Sequence, residues 1–164
     1  GSTQHFVGMM FAQASDIKLT HVAYKGGTIA AQNLLGGQLP MAVATPATTM
    51  THIRAGRLRA LATSGPKRSE LLPDVPTFKE AGYADLVVED WLGMFVPART
   101  PAEVIARLNG VVHEALKSSE TREACAKLMI APGGESPEEC AKLVHTEYKM
   151  WGPIVKASGF VGDE

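Results

Sequence analysis

Over residues 1 to 91, short runs rich in β-branched and apolar residues alternate with stretches whose apolar side chains recur at helical spacing. A chain patterned this way folds as a sheet flanked by helices, an α/β arrangement. The expected strands are Lys18 to Tyr24, Leu39 to Ala44, Arg57 to Ser64 and Leu86 to Trp91. Ser2 is placed to cap a helix bearing Phe6, Met9 and Met10, and Gly27-Thr28 opens another carrying Ile29, Leu34 and Leu35 that stops at Gly36-Gly37. Thr77 and Glu80 stand at capping-box spacing with Gly82 as the stop, which predicts a short helix after the Pro66 to Pro76 loop.

The pattern changes near Trp91. Leu92 to Val96 reads as one more strand, and three helices follow with little β pattern between them. Thr100-Pro101-Ala102-Glu103 supplies an N-cap, a proline at the first helical position and a capping-box carboxylate. Ser136-Pro137-Glu138-Glu139 repeats that start, and Cys140, Leu143, Val144, Tyr148, Trp151 and Val155 form the stripe of a long last helix. Both late stripes need an apolar surface to cover them.

Charge and composition exclude several classes of function. Sixteen basic against seventeen acidic side chains give a net charge of -1, with no basic run to track a phosphate backbone, so no nucleic-acid partner is expected. No apolar stretch approaches the roughly 18 residues that span a bilayer. The N-terminus lacks a basic region followed by an apolar signal segment. A start at Gly1-Ser2 fits a processed chain or a piece of something longer. Cys125 and Cys140 lack zinc-site spacing and read as small buried apolar residues, with a disulfide left open in an oxidising compartment.

Reactive constellations are not found in the sequence. Lys25-Gly26-Gly27-Thr28 runs in the wrong order for a phosphate-binding loop, no Gly-x-Ser-x-Gly occurs, and the histidines at 5, 21, 52, 113 and 145 are dispersed. No catalytic residue, metal ligand or cofactor is therefore expected, and the chain does not read as an enzyme. Three helix starts at Gly1-Ser2-Thr3, Gly26-Gly27-Thr28 and Thr45-Pro46 expose small residues whose free N–H groups and dipole ends favour an anion. Each is equally an ordinary cap satisfied by its own hydroxyl.

Several segments, read in order, resemble the Bug or TctC-like family of tripartite tricarboxylate transporter solute receptors. They are Gly1-Ser2-x-x-His5, His21-Val22-Ala23-Tyr24-Lys25-Gly26-Gly27, Leu34 to Gln38, His52 to Ala62, Leu72 to Thr77, Trp91-Leu92-Gly93 and Phe95-Val96-Pro97. The resemblance implies two lobes around a cleft in the manner of type II periplasmic binding proteins. Residues 1 to 91 would be the second lobe, and 92 to 164 a crossover strand and helices completing a first lobe that this chain lacks. It implies a periplasmic location, a small organic acid as ligand and membrane permease subunits as partners. The ligand loops would fall on Ser2 and Thr3, on Tyr24, Lys25, Gly26, Gly27 and Thr28, and on Thr45. Ala44 stands where many relatives carry aspartate, and Ala23 where proline is common. Uncovered stripes after Thr100 predict a homodimer, with a self-associating domain lacking a competent site as the alternative function.

Overall fold

The computed structural model describes residues 1–161. Among the described residues six helices form: α1 (Thr3–Ala14), α2 (Gly27–Leu35), α3 (Pro46–Arg54), α4 (Ala102–Lys117), α5 (Ser119–Leu128) and α6 (Pro137–Ser158). The chain divides into two units, one formed by Gly1–Asp90 with the residues from Ile154 on, the other by Trp91–Pro153.

Local signals account for most of the helix ends. The Ser2 hydroxyl accepts from His5 N–H at 3.3 Å and starts α1. Gly36 closes α2, and Gly37 continues at φ +74, a left-handed turn that glycine adopts without steric cost. At α6 the capping box forms in both directions: Ser136 N–H donates to Glu139 Oε2 at 2.8 Å, and Glu139 N–H to Ser136 Oγ at 3.2 Å. The Ser136 bonds hold the Glu139 carboxyl below its usual range.

Two helix expectations need correction. At α4 the helix begins at Ala102 and not Pro101, because Pro101 lies at ψ 143, outside the helical basin, and no side chain caps the end. Thr100 thus contributes no cap bond. Thr77 and Glu80 do exchange bonds, Thr77 N–H to Glu80 Oε2 at 2.8 Å and Glu80 N–H to Thr77 Oγ1 at 3.1 Å. They close a single turn that ends at Gly82 (φ +98) before a helix develops.

The mixed sheet is the larger correction. Among the described residues the pairing is one parallel bridge, Thr63 with Thr77, and no segment forms a continuous ladder. Its bonds are Thr63 N–H to Pro76 O and Phe78 N–H to Thr63 O, both 2.9 Å, with Val88 N–H to Ser64 O at 2.8 Å beside them. Parallel ladders persist where both faces are covered. Here Lys18 to Ala23 are exposed, Leu61 is exposed, and Pro40 removes a donor from the second segment. Leu92 to Val96 is likewise unpaired, with Leu92 86% exposed.

The core lies in the first unit. Phe6 and Val7 of α1, Ala31 of α2, Met50 of α3, Thr77, Leu86 and Val88 are buried. Phe11 joins this core through Phe78 and Tyr83, with ring centroids at 5.5 and 5.3 Å. In the second unit α4 packs on α5, and Asn109 Nδ2 donates to Glu135 O at 3.2 Å. None of its described residues is buried, and Met94, Phe95, Val111, Leu128 and Tyr148 are exposed. Cys125 and Cys140 are both free thiols and half-buried.

Candidate functional site

The three helix starts singled out in the sequence belong to the first unit, and contacts between their elements tie them together. The His5 ring stacks on His21 at 3.9 Å between centroids, which fixes the first turn of α1 against the extended segment leading to Tyr24. A Cβ built on Gly27 would meet Thr48 Cγ2 at 3.1 Å, so the start of α2 lies against the first turn of α3. A Cβ on Gly8 would stand 3.7 Å from Val43 Cγ2, which sets α1 beside the segment that delivers Thr45.

The three starts differ in what they leave available. Ser2 caps α1 with its own hydroxyl, the ordinary arrangement. Neither Gly26 nor Thr45 makes a side-chain cap bond, so the first N–H groups of α2 have no side-chain acceptor, whereas at α3 Pro46 has no N–H and Thr48 N–H donates to Thr45 O at 3.2 Å, which leaves the Ala47 N–H. The Thr48 and Thr49 hydroxyls both donate to Thr45 O, at 3.0 and 3.1 Å, and so stiffen the α3 start. Gly26 adopts φ +117, ψ 154, a conformation reserved for glycine, and this turns the chain sharply into α2. Lys25, Gly26, Gly27 and Thr28 are exposed, and Tyr24 and Thr45 are half-buried. Lys25 forms no ion pair among the described residues.

One functional group at these starts was not visible in the sequence. Asp90 accepts from Thr3 Oγ1 at 3.1 Å and from Gln4 Nε2 at 3.2 Å, although it lies 87 residues from Thr3 along the chain. The Thr3 hydroxyl proton is therefore committed to a resident carboxylate, and Thr3 can offer an anion only its backbone. No spacing rule links positions 3 and 90, so no local signal could have found the pair. Among the described residues no group of three or more His, Cys, Asp or Glu side chains is arranged to hold a metal ion. The arrangement suits reversible binding of an anion or hydrogen-bond acceptor by backbone donors.

Comparison with known proteins places the chain. The tripartite tricarboxylate transporter family receptor model matches residues 1–160. Protein BugT of Bordetella pertussis is 31% identical over 97% of this chain and 49% of its own length. A protein of Pseudomonas knackmussii from the clcB-clcD intergenic region is 31% identical over 94% of this chain and 92% of its own. Three solved structures share the fold. Rpa4515 of R. palustris with adipate has a TM-score of 0.83 at 28% identity, covering 97% of this chain and 53% of that one. The periplasmic binding protein BugD has 0.81 at 29%, with 96% and 54% covered. MatC of Rhodopseudomonas palustris with bound malate has 0.77 at 28%, with 94% and 53% covered. The chain thus spans about half the length of BugT and of these three structures. It has a periplasmic-binding-protein fold, and it belongs to the tripartite tricarboxylate transporter receptor family, a family of solute receptors and not of enzymes.

Proposed function

We propose that this chain contributes one lobe's share of the binding site of a periplasmic receptor for a small organic acid, which it delivers to membrane permease subunits. The observation that carries the reading is the pair of uncapped helix starts, at Gly27 and Pro46, packed side by side through Gly27 and Thr48. Their N–H groups and positive dipole ends suit a carboxylate, either directly or through a bridging water. Two of the solved relatives hold adipate and malate, both dicarboxylates. In this reading Tyr24 to Thr28 and Thr45 contact the acid, with Ser2 and Thr3 alongside. Residues 1 to 91 act as the second lobe, and the chain from Leu92 helps to complete the first.

Calorimetric titration of the protein with adipate and with its neutral isostere adipamide tests the physics. Each charge-assisted bond at a helix start contributes more than a neutral one, so adipate should bind at least about tenfold tighter, equivalent to ~1.4 kcal/mol. Equal affinities for acid and diamide would rule out helix starts as anion holders.

A second reading, self-association of this chain, is favoured by the second unit. Tyr148 is 79% exposed and Leu92 86%, and the α4 face carries Val104, Leu108 and Val111 open to solvent. Such a surface calls for cover. A homodimer by sedimentation at micromolar concentration supports this reading, and a monomer at every concentration refutes it.

A further inference from the structure

The stacked His5 and His21 rings are not needed to hold an anion, yet they join two of the candidate loops. His5 lies one helical turn after Ser2 on α1, and His21 lies on the extended segment that runs into Tyr24. Their centroids are 3.9 Å apart with the planes inclined by 26°. Phe6 stacks on His5 from one side at 5.2 Å, and Phe160 meets it in a T-shape at 6.3 Å. His5 Nδ1 is buried and has no hydrogen-bond partner among the described residues.

Among the described residues no carboxylate bonds to either imidazole. Among the described residues the groups that act on His5 include the His21 ring, the amino terminus of Gly1 and the rings of Phe6 and Phe160. Asp90, the carboxylate bonded to this turn of α1, is engaged by Thr3 and Gln4 and bonds to neither imidazole. The α1 dipole adds positive potential at the same end.

We propose that the His5–His21 stack is an acid-sensitive latch: with His5 neutral it pins the segment before Tyr24 to the first turn of α1, and protonation of His5 releases that segment. If the receptor reading holds, acid then parts the Ser2–Thr3 start from the Tyr24–Thr28 turn and loosens the grip on the ligand. Only this last consequence depends on that reading. Burial pushes the His5 imidazole below its ordinary value of 6.5, and His21 and the amino terminus push it the same way. A base whose folded pKa is depressed binds its proton more readily in the unfolded chain. The stability it represents is therefore complete above about 6.5 and is lost as pH falls towards the folded value.

The test needs no ligand, so failure of the latch and failure of the receptor reading are told apart. Histidine ring resonances and melting temperature are followed from pH about 8 to about 5, the window in which imidazoles titrate, for the wild type and for His21→Phe, which keeps a stacked ring without a charge. The expected results are a His5 midpoint below 6.5, an upward move of that midpoint in His21→Phe, and a smaller acid loss of melting temperature in the variant. A His5 midpoint at or above 6.5 in the folded wild type overturns the proposal. So does an acid loss as large in His21→Phe as in the wild type, and the wild-type midpoint decides the matter should the variant not fold.

Discussion

Gly26→Ala is the substitution whose cost follows most directly from the structure. Gly26 stands at φ +117, ψ 154, and a Cβ built there meets no atom within 4 Å. Crowding from the surroundings is therefore absent, and the penalty is the backbone strain of an L-residue in a glycine-only region, about 1–3 kcal/mol. For a chain of this size, about 2 kcal/mol lowers the melting temperature by roughly 4–8 °C. Gly8→Ala provides the opposite case in the same unit. Its Cβ would make an ordinary contact with Val43 Cγ2 at 3.7 Å, and it lies inside α1 at a negative φ. Alanine there should stabilise by about 0.5–1 kcal/mol. Urea denaturation of both variants checks the signs through the transition midpoint, provided the slope stays constant. A Gly26→Ala protein as stable as the wild type, or two variants shifted in the same direction, would refute the reasoning.

Three further outcomes follow from the packing and the caps. Met50→Ala, at a position 1% exposed, should cost about 2–5 kcal/mol in denaturation, depending on how far the cavity collapses. Ser136→Ala should cost about 1 kcal/mol because it breaks a formed capping box, whereas Thr100→Ala should stay within ~0.5 kcal/mol because Thr100 caps nothing. The Thr77 backbone N–H holds the Glu80 carboxyl below its usual 4.5, with Arg68 adding to the effect. A depressed carboxylate pKa contributes stability above the unfolded value and loses it as pH falls through the folded one. Glu80→Gln should therefore flatten the stability profile below about pH 4.5 and leave it nearly level at neutral pH, as acid denaturation curves would show.

How much of this was legible in the sequence depended on the range of the interaction. Ser2, Gly27, Gly36 and Ser136 announced helix ends because a cap is decided within four residues, and each of those ends formed where its signal stood. Thr100 gave an equally good signal and failed, because Pro101 settled at ψ 143 and moved the start one residue on. The strand runs were read from β-branched composition. Pairing, however, depends on partners and on cover for both faces, and among the described residues only the Thr63–Thr77 bridge formed. The family pattern carried the candidate loops into view, while the groups that modify them did not show. Asp90 reaches Thr3 across 87 positions, and His5 meets His21 through the turn of the chain after α1; neither contact has a local signature.

In the proposed function the uncapped starts of α2 and α3 serve a receptor for small organic acids. A thermal-shift series on the protein, with adipate, malate, tricarboxylates, acidic amino acids and aromatic acids, is the decisive experiment. Ligand at about 100 times its dissociation constant adds roughly 2.7 kcal/mol to the native state. The prediction is that at least one acid raises the melting temperature of the protein and that Gly26→Ala weakens the response. If no acid moves it while a neutral solute does, the carboxylate assignment is wrong and the helix starts at Gly27 and Pro46 are structural ends alone.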